Sequence, residues 1–234
     1  MKTILLKLAG PLQSWGTSSH YEIRHTDPHP SKSAVIGMVA AALGYRRSET
    51  DKIASLNRLD FAVRIDQPGQ ITKDYQTVHQ YKNNLDRTLE RIYVTNRYYL
   101  EDAVFIAAIG FSDASWIDMI ADALRHPYFQ LYMGRRSCPV PEDLVLDVVE
   151  GDVISALIQE PLHQSDWYMK RFSGHVSIYA DSQTLPECPV SLRRDLILSL
   201  SPKDRGYRWR EEARCEMTDS LKQTAHDAFG ALGG

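Results

Sequence analysis

The run Ala103-Val104-Phe105-Ile106-Ala107-Ala108-Ile109-Gly110-Phe111 constrains the fold most. Successive residues of a strand point to opposite sides of a sheet, and here both sets are apolar. The run therefore reads as a central strand, covered on both faces. It is far shorter than the ~20 apolar residues a membrane helix needs, as is Ala34–Leu43, so no membrane partner is expected.

Other elements follow from local signals. Lys2–Ala9 reads as a first strand and not a signal peptide, because a charge interrupts its apolar run and no small-residue cleavage site follows. Ser31-Lys32-Ser33 supplies a hydroxyl cap before Ala34–Leu43, and Gly44 follows, which is the punctuation of a closely packed helix. Phe61–Ile65 predicts a strand. Asp113 or Ser115 caps a second helix whose Ile117, Ile120, Ala121 and Leu124 form one stripe. His126-Pro127 stops it, and Tyr128–Met133 is predicted as a fourth strand. The order strand, helix, strand, strand, helix, strand is the split βαβ plan, so an α+β, ferredoxin-like (RRM-like) βαββαβ core is expected over residues 1–147.

Residues 66–102 are too many for the ~2–5 residues of a tight hairpin turn. Ile71–Gln80 and Ile92–Tyr99 have strand-like content around a polar tip, Tyr81–Arg91. This predicts a long projecting β-hairpin, a thumb at about 70–100. Residues 148–234 are expected to form a small β-rich extension with a short helix at Asp152–Gln159. Trp167–Phe172 with His175–Ala180 predicts a hairpin there, Leu196–Leu200 a further strand, and Thr218–Gly234 a weak, frayed helix.

Three widely spaced cysteines, Cys138, Cys188 and Cys215, argue for reduced thiols in a cytoplasmic protein, with no zinc knuckle or disulfide framework. A net charge of −3 is not that of a free-standing nucleic-acid binder. If RNA is bound, cations must be locally concentrated.

Four segments could supply such a site. Gly10–Gly16 follows the first strand, with Gln13 able to read a base edge, Trp15 able to stack and Gly16 allowing close approach. The alternative is a plain turn with Trp15 in the core. Ser31, Lys32 and Ser33 open a helix, whose N-terminus suits a phosphate, although capping hydroxyls commonly bind nothing. The thumb interleaves Lys82, Arg87, Arg91 and Arg97 with aromatic residues including Tyr75 and His79, which suits a single strand; a solvated hairpin is the alternative. Gly134-Arg135-Arg136-Ser137 puts two guanidinium groups on a glycine turn, able to clamp phosphate.

No G-x-S-x-G, H-E-x-x-H, P-loop or dinucleotide fingerprint occurs, and no cofactor is expected. His25, Asp27 and His29 are separated by prolines that break any helix aligning them on a metal. An acid–base pair for RNA cleavage could be drawn from His20, His25 or His79 with Tyr75 or Lys32, but their spacing does not demand one.

Together these segments resemble the CasD subunits of type I-E CRISPR surveillance complexes (Cascade). Leu6–Gly16 is similar to that family's opening signature and Pro30–Ser33 to its second block, with Ser31 and Ala34 where threonine and glycine are more usual. Asp74–Val78 and Tyr99–Ala103 are similar to its thumb base and return strand, and Tyr132–Pro139 to its last block. The resemblance implies a non-catalytic subunit that holds the 5′ handle of the CRISPR RNA, in one copy beside the backbone subunit CasC and the large subunit CasA. Target DNA would be met indirectly, through the guide. Arg24 joins the residues named above as an implied RNA contact. Relatives from type I-C systems cut precursor CRISPR RNA without metal, which is the rival reading. A ferredoxin-like domain serving metabolism or oligomerisation is the third.

Overall fold

The computed structural model describes residues 1–17, 23–82, 88–171 and 174–218. Strand β1 (Lys2–Ala9) leads through β2 (Leu12–Gln13) and β3 (Ile23–Arg24) to helices α1 (Lys32–Ala42) and α2 (Thr50–Ser55). There follow β4 (Asp60–Gln67), β5 (Gln70–Tyr81), β6 (Leu89–Glu101), β7 (Val104–Phe111) and α3 (Ala114–Arg125). The chain continues through β8 (Val145–Glu150), α4 (Val153–Gln159), α5 (Asp166–Met169), β9 (His175–Asp181), β10 (Val190–Ser199) and β11 (Gly206–Thr218). One antiparallel sheet has the order β10-β11-β9-β4-β7-β1-β8, and a second gathers β2, β3 and β5 around β6. Among the described residues no helix is long and apolar enough to cross a membrane.

The two-faced apolar run is explained by what covers it. β7 lies between β1 and β4, with Ile109 opposite Ile4 on one side and Phe61 on the other. Phe105, Ala107 and Ile109 join Ile4, Leu6 and Leu8 in the larger core, which also contains residues of α1 and α3. Ile106 and Ala108 face the other way, into a smaller core with Leu5, Ala62 and the α4 residues Val153, Ala156 and Leu157. α1 buries residues around most of its circumference, whereas α3 buries the stripe Ile117, Ile120, Ala121 and Leu124 and is capped by the Asp113 carboxylate. The thumb is present as β5 and β6, paired from Gln70↔Glu101 to Tyr81↔Leu89; residues 83–87 of its tip, including Arg87, lie outside the described residues.

Three expectations are corrected. Tyr128–Met133 is not a strand, because its backbone is used elsewhere. The N–H groups of Tyr128 and Phe129 donate to the carbonyls of Ala42 and Ala41 at 3.0 and 3.2 Å, satisfying the C-terminal end of α1. The Met133 carbonyl accepts from Ser14 N at 3.2 Å. The strand that pairs with the far edge of β1 is β8, with Ile4 opposite Val148. The expected boundary at residue 147 therefore falls inside a strand, and β9 pairs with β4, so β9–β11 extend the same sheet. Trp167 belongs to the short helix α5 and not to a hairpin strand. The expected C-terminal helix lies almost wholly outside the described residues.

Candidate nucleic-acid interface

Three of the four candidate segments converge on one groove of about 670 Å³. Ser14, Trp15 and Gly16 border it from the loop after β2, Ser31, Ser33 and Gly37 from α1, and Gly134 and Arg136 from the turn before β8. The lining includes Arg46, Arg47, Arg136 and Arg205 and, among the described residues, no aspartate or glutamate. A chain of net charge −3 thus concentrates four guanidinium groups on one concave surface. Arg46, Arg47 and Arg205, with Tyr45 and Tyr207, escape sequence reasoning because they stand outside any recognisable motif.

Backbone contact sets the groove's shape. Gly134 has φ +81°, and a Cβ there would lie 1.6 Å from the Ser14 carbonyl oxygen. Only glycine lets the two turns meet so closely. Trp15 and Gln13 serve this packing from beneath. The Trp15 indole N–H donates to Gln13 Oε1 at 3.0 Å, and Gln13 Nε2 donates to the carbonyls of Leu8 and Ala103 at 3.1 and 2.7 Å. Both side chains are buried and present neither a stacking face nor a base-reading edge.

The start of α1 is occupied from within the protein. Ser31 caps Ala34 N at 3.3 Å, and the Lys32 N–H donates to Asp195 Oδ2 at 2.8 Å. The Lys32 ammonium is buried against Asp181 at 2.8 Å. The expected phosphate site on the helix terminus and Lys32 is thus filled by two carboxylates. They belong to a buried network in which Arg210 binds Asp195, Asp181 and Glu212, and Arg193 binds Glu212 and Asp27. Asp27 and His29, considered above as metal ligands, are members of it. His29 Nε2 sits 3.2 Å from Glu212 and the ring stacks on Tyr179.

This network predicts acid sensitivity. Burial opposes ionisation of Glu212, but hydrogen bonding to His29 and the charges of Arg193 and Arg210 bring its pKa down to about 2. Burial lowers the pKa of His29 below its usual 6.5, so the folded protein holds the ring neutral. In both cases the unfolded chain binds the proton more tightly. The stability these groups contribute is fully present above about pH 6.5 and is lost as pH falls, first through His29 and then through Glu212 below about 4.5. The Glu212 share is on the order of 3 kcal/mol. Denaturant midpoints measured from pH 7 to pH 3 should fall steadily, and Glu212→Gln should flatten the lower part of that curve.

The paired arginines diverge. Arg135 donates to the Arg24 carbonyl at 2.8 Å and lies 4.4 Å from the Tyr99 ring centroid, so it ties the turn to the thumb base. Burial opposes ionisation of the Tyr99 phenol, but its hydrogen bonds to Arg135 and Ser137 lower its pKa. Arg136 is exposed and faces the groove. The thumb also sorts its residues by face. Tyr75 and His79 share a face with Ile71, Ile92 and Val94, while Arg91, Tyr93 and Arg97 occupy the other. Arg91 lies 5.5 Å from the Tyr93 ring and Arg97 is opposite Asp74. Lys82 is exposed near the tip.

Among the described residues, two of the candidate acid–base groups are accounted for in other ways. Tyr75 and His79 are four residues apart on one strand, so their Cα atoms are about 13 Å apart. His25 stacks on Tyr98 at 5.3 Å, Lys32 is paired, and His20 lies outside the described residues.

The fold thus combines a sheet packed on both faces, a groove lined by four arginines and a long two-stranded hairpin. The chain belongs to the CRISPR-associated Cas5 family, whose profile, CRISPR-associated protein (Cas_Cas5), matches residues 3–211. It is 31% identical over 187 residues to the CRISPR system Cascade subunit CasD of Escherichia coli (strain K12), covering 74% of this chain and 83% of that protein. It is also similar to a chain of a CRISPR RNA-guided surveillance complex, with TM-score 0.78, 32% identity and coverage of 98% and 97%. The crystal structure of a Cas protein matches with TM-score 0.66 and 25% identity over 96% of this chain and 100% of that one.

Proposed function

We propose that this chain is a non-catalytic RNA-binding subunit of a type I-E CRISPR surveillance complex, and that its groove holds the 5′ handle of the CRISPR RNA. The observation that carries this reading is the groove itself: four arginines, no carboxylate among the described residues, and an opening bounded by three motif segments distant in sequence. Kinship with a Cascade subunit supports it. The order β8-β1-β7-β4, antiparallel throughout, supports reading these four strands with α1 and α3 as the ferredoxin-like core. CasA, CasC and the other subunits then cover surfaces that the net negative charge leaves free of RNA. The separated faces of the thumb suit an arm that meets protein or bases on one side and phosphates on the other.

The test uses the assembled complex. Arg136→Ala combined with Arg205→Ala should weaken retention of CRISPR RNA by about 100-fold or more, since each of the two charge-assisted contacts contributes on the order of 1.5–3 kcal/mol. The deficit should widen as salt is raised. Shortening the thumb between Tyr81 and Arg91 should leave handle retention intact and weaken target-DNA binding. Unchanged retention in the arginine variant would remove the groove from this role. Cleavage of repeat RNA by the purified chain in EDTA would favour the endoribonuclease reading.

A further inference from the structure

The family reading leaves two of the three cysteines unused, and the sheet register brings them together. In the β10–β11 ladder Val190 is opposite Ala213. One step outward, Arg214 N donates to the Pro189 carbonyl at 2.9 Å, and the proline has no N–H to return. The next pair in this register is Cys188 and Cys215, twenty-seven positions apart in sequence and directly opposite in space. Since Pro189 and Arg214 form the hydrogen-bonded position, Cys188 and Cys215 occupy the close one. Opposed Cα atoms at such a position are about 4.5 Å apart, within the roughly 4.4–6.8 Å that a disulfide spans. The Cys188 N–H donates to the Leu185 carbonyl at 3.2 Å, so the ladder makes no demand on it. Both thiols are reduced and half-buried, within reach of a small oxidant. Interaction with the neighbouring Cys215 side chain, with burial, pushes the Cys188 thiol up to about 11.

We infer that Cys188 and Cys215 form an oxidisable dithiol that a peroxide closes to an intramolecular disulfide. One thiolate attacks the peroxide and becomes a sulfenic acid, releasing water. The second sulfur then attacks the sulfenic sulfur, forming the S–S bond and releasing a second water. The two thiols lose two electrons and two protons, and one hydrogen peroxide is reduced to two waters. The product would staple the open end of the β10–β11 pair. The opposite end of that pair carries Arg205 and Tyr207 into the groove.

Treating the full chain with a modest excess of hydrogen peroxide, followed by alkylation and peptide mass spectrometry, tests this. The expected product is a 188–215 linked peptide pair, two hydrogens lighter than the separate thiol peptides and restored by dithiothreitol, while buried Cys138 is alkylated only after unfolding. Because closing a loop of about 27 residues constrains the unfolded chain, Tm should rise by roughly 5–10 °C on oxidation. Cys188→Ser and Cys215→Ser, each checked for native circular dichroism, should abolish the link and the rise, whereas Cys138→Ser should keep both. Overturning outcomes are separate oxidation of the two sulfurs to sulfinic acids, a link through Cys138 or between chains, or both thiols unreacted after exposure.

Discussion

Arg210→Met is expected to lower the unfolding free energy by about 3–5 kcal/mol, the cost of removing one partner from a buried ion network. Arg210 is 8% exposed. It holds Asp195 through Nε and Nη2 at 2.9 and 3.0 Å, Asp181 at 3.1 Å and Glu212 at 2.7 Å. Burial opposes its charge, yet these carboxylates hold its pKa above the ordinary arginine value. Methionine fills much of the volume but leaves the carboxylates short of positive charge. Asp181 also accepts from Phe61 N at 3.0 Å, and Asp195 accepts from Lys32 N. The network therefore joins β9, β10 and β11 to the start of β4 and of α1. Chemical unfolding measures the loss. Arg210→Lys should recover only part of it, because an ammonium cannot reproduce the fork. The difference from the parent should shrink at low pH as the stranded carboxylates take up protons. A loss below about 1 kcal/mol at pH 7 would mean that the sheet extension stands without the network.

Gly134→Ala is expected to cost on the order of 3 kcal/mol and to abolish CRISPR RNA retention by the complex. The left-handed backbone alone costs a non-glycine residue about 1–2 kcal/mol. The remainder is steric, since the new methyl would overlap the Ser14 carbonyl and one of the two turns must move. These turns form two walls of the groove, so the site should fail before the fold does. Gly37→Ala is a control for stability alone, since Gly37 also borders the groove. A Cβ at Gly37 meets nothing within 4 Å, and the residue is inside α1, so alanine should stabilise the chain by about 0.5–1 kcal/mol. Thermal unfolding beside RNA retention separates the two effects. A stable Gly134→Ala variant with full retention would show that the loop can withdraw without opening the groove.

Much of the fold was legible because it rests on short-range signals. The two-faced run of β7, the Ser31 cap of α1, the Asp113 cap and stripe of α3, and the paired strands of the thumb depend on neighbours a few residues away. Tyr128–Met133 misled because its apolar content resembles a strand while its backbone is committed to the end of α1 and to Ser14. Of the candidate site, the segments Gly10–Gly16, Ser31–Ser33 and Gly134–Ser137 were legible as motifs, but that they meet at one groove was decided by the tertiary structure. Arg46, Arg47 and Arg205 were not, since an isolated arginine carries no local mark of the surface it will join.

The sequence by itself determined the family, the central strand, both principal helices and the presence of the thumb, because periodicity, caps and motifs are written in contiguous residues. Only the tertiary structure decided what each polar side chain is for. Lys32 had the chemistry of a phosphate ligand until Asp181 neutralised it, and the terminus of α1 was open to an anion until Asp195 filled it. Gln13 and Trp15 could have met RNA bases until each took the other as partner in the core. Adjacent Arg135 and Arg136 read as one clamp, but the first stacks on the thumb and the second faces the groove. In the first three cases burial made the internal partner favourable, because a polar group removed from water must be satisfied within the protein. With Lys32 and the start of α1 so engaged, the arginines are the cations that line the groove among the described residues.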